Sequence, residues 1–416
     1  MMKSAVTGIK QLVTCANQDL KPKRGLELRD VGVIENATIL VENGRILAMG
    51  SASSLNKFVS ELPEVDVYDV GGRAVVPGFV DSHTHVLFAG TREKEFAMRC
   101  EGLSYMEILN AGGGILNSSK MFAEADDESI LRQTRSRLLR MLQHGSTTVE
   151  IKSGYGLDTD QEIRALKLIT ELRDENKQNI FRTFLGAHAI PPDFKKSPDD
   201  FVRLICNEML PIIGAKGLAD YCDVFCEAGV FNAIQTEQIF QAAVDQGLRL
   251  RLHSDEIEAI GGTEIGCAMG AMSVDHLVAI TDQGIRAVAN SKTIANLLPG
   301  TAYSLMKKPA PARKLIDSGA AVALSTDCNP GSCYTESMPM IISLACLTMN
   351  MSPEEALNAA TFNGACALGD QENVGSIERG KVADLLVLDG SDYRILPYHF
   401  GVNPVKRVMR AGEWIN

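Results

Sequence analysis

The chain has 416 residues, 45% apolar and 22% charged, with 36 glycines and 15 prolines; this ordinary globular composition excludes collagen-like, low-complexity and disordered classes. Its 41 basic residues face 52 acidic ones for a net charge of −11, and without clustered Lys and Arg there is no electrostatic basis for a nucleic-acid or anionic-membrane partner. No stretch nears the roughly 18 uninterrupted apolar residues of a spanning helix.

The amino-terminal segment lacks the apolar centre and cleavage site of a signal peptide. Ten cysteines, scattered with no CxxC pair, read as reduced thiols in a cytoplasmic protein. Residues 1–74 alternate apolar and polar positions (NATILVENGRILAMG) and carry the turn pairs Asn43-Gly44 and Gly71-Gly72, which predicts short strands. From residue 75 a different pattern repeats. A run of Val, Ile, Leu and Ala stops at a polar residue, and an amphipathic segment follows.

The runs are AVVPGFV to Asp81, STTVEI to Lys152, FRTFLGA to His188, CDVFC to Glu227, LRLRL to His253, MSVD to His276, TIANLL to Pro299 and AVALS to Asp327, eight in all. Helices are predicted over 129–144, 160–177, 235–246, 281–290 and 353–368, the last opened by the capping box Ser352-Pro353-Glu354-Glu355. Apolar strands alternating with helices mean a parallel sheet covered by helices. Eight such units predict an α/β (β/α)8 TIM-type barrel over residues 75–373, with its chemistry at the carboxyl ends of the strands. Residues 374–416 return to strand patterns (VADLLVLDG, VKRVMRAGEWI). Neither end buries a core alone, so both are expected to join into one small β-sandwich rigidly attached beside the barrel.

Of seven histidines, His83, His85, His188, His253 and His276 fall at expected strand ends, while His144 lies late in a helix and His399 in a terminal loop. A lone histidine is usually a satisfied or solvated ring; five at one rim point to a shared site. His83 and His85, two apart after a strand, project to the same side. An HxH pair alone is a weak signal. With His253 and Asp327 it becomes three imidazoles and a carboxylate, a set that suits Zn²⁺, Fe²⁺ or Mn²⁺ and leaves a position for water. Such an ion brings a bound water's pKa near neutrality. Glu256, His276 and Asp327 are then the candidate proton carriers; Glu256 by itself reads equally as an acid at a helix start. Cys222 and Cys226 read as core residues, and Gly112-Gly113-Gly114 lacks the spacing of a phosphate loop.

PGFVDSHTH, KSGYGL, FLGAH, HSDE, DHL, STDCNPGS and VGSIERGKVADLLVLD resemble the imidazolonepropionases of the amidohydrolase superfamily, from residue 30 to 412. The resemblance implies a metal-dependent barrel with a composite β-sandwich. It also implies hydrolysis of 4-imidazolone-5-propanoate to N-formimidoyl-L-glutamate in histidine degradation, and a homodimer. By position it places one divalent ion per chain, Zn²⁺ or Fe²⁺, on His83, His85, His253 and Asp327. Its substrate contacts are Arg92, Tyr155, His188, Glu256, Asn329, Gly331 and Ser332, and the Arg92 fork suits a propionate. Binuclear relatives carry a bridging lysine on strand four, where this chain has Glu227, so a mononuclear site is expected; Lys152 ends strand two instead. Cys328 is expected to face the barrel wall. A heterocycle deaminase shares HxH, HSDE and the strand-eight Asp, but has no use for a carboxylate clamp of Arg92 with Tyr155. A catalytically silent scaffold would have lost ligands, and none is lost.

Overall fold

In the computed structural model, which describes residues 3–61, 65–103, 107–108 and 111–415, the amino-terminal alternation folds as strands β1 (Lys3–Val13), β2 (Val33–Glu42), β3 (Arg45–Ser51) and β4 (Val65–Pro77). Asn43 and Gly44 turn β2 into β3 with φ of 50° and 78°, as a tight hairpin requires. Gly71-Gly72 corrects the expectation, because the chain does not reverse there. Both glycines hold positive φ inside β4, opposite the place where its pairing with β1 shifts register between Thr7 and Gln11. The pair serves a bulge rather than a turn.

Eight parallel strands follow: β5 (Phe79–Asp81), β6 (Ser146–Lys152), β7 (Asn179–Ala187), β8 (Tyr221–Cys226), β9 (Arg249–Ser254), β10 (Ser273–His276), β11 (Ile294–Leu297) and β12 (Val322–Leu324). They pair in chain order. The seam between the first and last is joined by Asp327 N–H donating to the His83 carbonyl (3.1 Å) and His85 N–H donating to the Cys328 carbonyl (3.0 Å). Asp81 locks it further by accepting from the Thr326 amide and hydroxyl. Each predicted run holds a strand, with one correction. AVVPGFV is two strands, because Pro77 has no N–H to extend a ladder; residues 74–77 pair with the terminal sheet and 79–81 with the barrel.

Four of the predicted helices recur within two residues, as Asp127–Gln143, Thr159–Glu175, Ala233–Asp245 and Asp282–Ala289. Each starts at a side-chain cap, respectively Asp126, Asp158, Asn232 and Thr281. The Ser352–Glu355 capping box forms as expected. The helix expected over 353–368 is broken, however, into Pro353–Ala360 and Phe362–Ala367. At the break, the Thr361 hydroxyl donates to the Leu357 carbonyl at 2.6 Å and competes with the backbone ladder.

The chain returns as β13 (Leu385–Leu388), β14 (Val405–Arg410) and β15 (Glu413–Ile415), and one mixed sheet of seven strands runs β15-β14-β13-β4-β1-β2-β3. Both termini therefore share one sheet, whose own core includes Ile9, Ile39, Val75, Leu385 and Met409. The barrel strands β6 and β8 are buried along their whole length, Glu150, Lys152 and Asp223 included, as strands covered by helices are.

Candidate active site

His83 and His85 leave the barrel just beyond β5, His253 ends β9 with Ser254, and Asp327 follows β12; all four side chains are buried. The Nε2 atoms of His85 and His253 lie 3.2 Å apart, and those of His83 and His85 each lie 3.6 Å from Asp327 Oδ1. Behind them, His83 Nδ1 meets Asp275 Oδ2 at 2.6 Å and His253 Nδ1 meets Asp223 Oδ1 at 3.0 Å. With Nδ1 carrying the proton toward a carboxylate, each neutral ring turns an Nε2 lone pair inward. His83 Nε2 is buried without a hydrogen-bond partner. Converging imidazole lone pairs beside a carboxylate, with their far sides held by acids, are what a divalent cation satisfies.

The electrostatics follow from burial. Desolvation, then neighbouring cations, holds His83 and His85 well below the usual imidazole range. Burial lowers His188 to about 3. His253 is raised, because the Asp223 carboxylate outweighs its burial, so a cation must displace the proton that Asp223 favours. Burial raises Asp327, although His276 and a 2.5 Å bond from the Thr301 hydroxyl to Oδ2 work against it. That bond leaves Oδ1 to face the histidines. His276 and Asp327 hold φ of 79° and 52°, a conformation costing a non-glycine residue on the order of 1–3 kcal/mol that persists only where surroundings enforce it.

A cavity of about 510 Å³ opens over these atoms, lined also by Arg92, Tyr155, His188, Glu256, Asn329, Gly331 and Ser332. The structure thus gathers nearly every residue singled out from the sequence: His83 and its buried Nε2 lie beneath the lining. Glu256 Oε2 stands 3.7 Å from His276 Nε2. His276 also forms a second close triple with His83 and Asp327, so it is a further possible ligand. Arg92 is paired with Glu95 at 2.5 Å through Nη2, while its Nε is buried and unpartnered. Asn329 spends its amide inside its own loop, accepting from the Gly331 and Ser332 N–H groups and donating to the Asp327 carbonyl. It shapes the loop on which Gly331 and Ser332 sit. Gly114 lines the cavity, so the triple glycine belongs to its rim.

Other strand-end residues point elsewhere. Asp81 closes the barrel seam, and Glu227 accepts from the Ile257 and Glu258 amides, fixing the loop that carries Glu256. Cys328 is fully buried, and desolvation pushes its thiol well above its ordinary value, which disfavours the nucleophilic thiolate. Cys222 and Cys226 are likewise buried, and all ten cysteines are free.

The residues that sequence reasoning missed are those behind the histidines: Asp223, Asp275, Glu150 and Arg251, together with Thr301. Lys152 was noticed without its role; its Nζ bonds Glu150 and Asp223 at 2.8 Å each. Arg137, stacked on Phe88, donates to the Val86 and Phe88 carbonyls and so holds the segment after His85. The available signal was an ionisable residue inside an apolar run, as in CDVFC, SVDH and VEIK.

The Amidohydrolase family matches residues 228–415. An imidazolonepropionase of Geobacillus kaustophilus (strain HTA426) is 47% identical over 97% of this chain and 96% of its own. One of Shouchella clausii (strain KSM-K16) is 46% identical over 97% and 91%, and one of Alkaliphilus metalliredigens (strain QYMF) is 42% identical over 100% and 98%. Among solved structures, E. coli guanine deaminase matches with a TM-score of 0.76 at 14% identity, covering 100% of this chain and 99% of that one. An adenosine deaminase from Xanthomonas campestris with bound zinc matches at 0.73 and 19%, covering 99% and 92%. At such identities the structural likeness establishes the fold alone.

Proposed function

The chain belongs to the imidazolonepropionase family of amidohydrolases, and from that premise we propose how this cavity performs the family's reaction. The enzyme is a metal-dependent hydrolase of histidine degradation that opens the cyclic amide of 4-imidazolone-5-propanoate to N-formimidoyl-L-glutamate. His83, His85, His253 and Asp327 would hold one divalent ion, Zn²⁺ or Fe²⁺, which when bound lowers the pKa of water and polarises a carbonyl.

The remaining work falls to the chain's own side chains. Arg92 presents a guanidinium edge to the propionate carboxylate, a charge-assisted contact that also sets the ring's direction. His188 Nδ1 donates to the Gly154 carbonyl at 2.8 Å, so its neutral ring offers Nε2 as an acceptor for a substrate N–H. Tyr155, buried and raised above the usual phenol range by desolvation, keeps its proton and serves as a donor. Gly331 and Ser332 complete the wall over the substrate. The oxygen of one water bonds to the ring carbonyl carbon and the amide C–N bond breaks; the ring nitrogen keeps the electron pair and takes a proton, and the carbonyl carbon, now bearing both oxygens, becomes a carboxylate of the product. Glu256 and His276, 3.7 Å apart, are assigned the delivery of that proton, and Asp327 the acceptance of the proton that the water gives up.

One observation carries the reading: a buried imidazole cluster and an arginine fork share one cavity of a size suited to a small acid. A neutral heterocycle would offer the Arg92 fork no carboxylate to grip beyond the Glu95 it already holds. We also propose a cytoplasmic homodimer. Ten unpaired thiols fit a reducing compartment, and light scattering tests the dimer. To test the function, purified protein is given freshly generated imidazolonepropionate and, separately, a panel of aminoheterocycles. Formimidoylglutamate by mass spectrometry, lost on chelation, is expected. Ammonia released from a heterocycle with no formimidoylglutamate formed would overturn the assignment.

A further inference from the structure

Behind the histidines, two buried cations, Arg251 and Lys152, stand on three carboxylates. Arg251 Nη2 meets Asp275 Oδ2 at 3.3 Å, and it is also tied to the Ala367 and Ser82 carbonyls, so it braces the barrel as well. Lys152 is different. Both hydrogen bonds of its Nζ go to carboxylates, Glu150 Oε1 and Asp223 Oδ2, and all three side chains have zero exposure. The other Asp223 oxygen takes the His253 ring at 3.0 Å and the His253 amide at 3.2 Å. An ammonium, a carboxylate and an imidazole therefore form one line that ends at the inward-facing Nε2.

We propose that Lys152 is a positioning residue for the metal site, acting through Asp223 to orient His253. This rests on the metal placement proposed above. Removing the ammonium takes the hydrogen-bond donor from both Glu150 Oε1 and Asp223 Oδ2 and leaves two buried carboxylates with no partner between them, which push apart. An Asp223 carboxylate free to turn no longer fixes the His253 ring, whose Nδ1 it meets at 3.0 Å, and the ring loses its orientation. Partners that orient metal-binding histidines typically govern metal affinity by roughly 10- to 100-fold.

The test uses full-length protein stripped of metal. Zn²⁺ affinity is measured by chelator competition, and the Co²⁺ absorption spectrum is recorded, for wild type, Lys152→Met, Lys152→Arg, Asp223→Asn, the Lys152→Met/Asp223→Asn double variant and His253→Ala. Lys152→Met and Asp223→Asn should each weaken Zn²⁺ by roughly 10- to 100-fold and alter the Co²⁺ spectrum. The double variant should bind about as Asp223→Asn does, because one line is cut twice. Lys152→Arg should restore part of the affinity. Wild-type affinity and an unchanged spectrum in a folded Lys152→Met protein would overturn the proposal, as would losses that multiply in the double variant. Should Lys152→Met fail to fold, Lys152→Gln, which removes the charge and keeps an N–H donor, decides: weakened Zn²⁺ binding with an altered spectrum supports the line, and wild-type affinity and spectrum sink it. Unaltered binding in His253→Ala would instead refute the metal placement itself, and the proposal with it.

Discussion

Replacing Gly331 by alanine isolates the substrate clamp from the rest of the fold. A Cβ at this position would stand 2.1 Å from Arg92 Nη1, 2.8 Å from Cζ and 3.3 Å from Nη2. Gly331 does not hold a positive φ, so alanine suits its backbone and collides only with the guanidinium. To reach ordinary contact near 3.5 Å the guanidinium must retreat by about 1.5 Å. Glu95, bonded to Nη2 at 2.5 Å, opposes any retreat toward itself. Bidentate geometry does not survive such a shift, and a hydrogen bond to a charged group is worth about 1.5–3 kcal/mol. The expected loss is therefore roughly 10- to 150-fold in kcat/KM, mainly in KM because the propionate is held in ground and transition states alike. Folding stability should hold or rise by about 0.4–1 kcal/mol, since alanine restricts the unfolded chain. Steady-state kinetics on imidazolonepropionate with a thermal melt of the same sample measure both. An unchanged kcat/KM in the folded variant would mean that Arg92 does not grip the substrate.

Arg92→Lys should likewise raise KM more than it lowers kcat, because a point charge cannot reproduce the fork; equal affinity for both enzymes would count against the clamp. Thr301→Val removes the donor to Asp327 Oδ2 and leaves that oxygen buried and unsatisfied, at a cost of about 1–3 kcal/mol. Faster metal loss to a chelator is the expected result, and retention equal to wild type would show that the bond does not hold the ligand. Native thiol titration should label exposed Cys100 first and reach buried Cys328 only on unfolding. Labelling of Cys328 in the folded protein, with loss of activity, would contradict its placement behind the barrel wall.

The barrel was legible because strands buried on both faces leave near-continuous apolar runs, and the histidines because they stop those runs. What local pattern could not supply was direction. Asp81, Glu227 and His188 all follow apolar runs, yet only His188 faces the cavity; which way a side chain points at a strand end depends on barrel closure. Nor could it supply partners distant in the chain. Asp223 and Asp275 look like interruptions of CDVFC and SVDH until β8, β9 and β10 stand side by side. The pairing of β4 with both β1 and β13 is likewise non-local. Gly71-Gly72 and Thr361 misled because a glycine pair serves a bulge as well as a turn, and one threonine hydroxyl can end a helix whose apolar periodicity continues.

The most direct test of the account is a metal titration of the stripped enzyme, with Zn²⁺ and anaerobically with Fe²⁺, following formimidoylglutamate by mass spectrometry. Product should form no faster than in buffer before metal is added, then rise linearly to a break at about one ion per chain. Full activity in the stripped protein, or a break at about two ions, would contradict it.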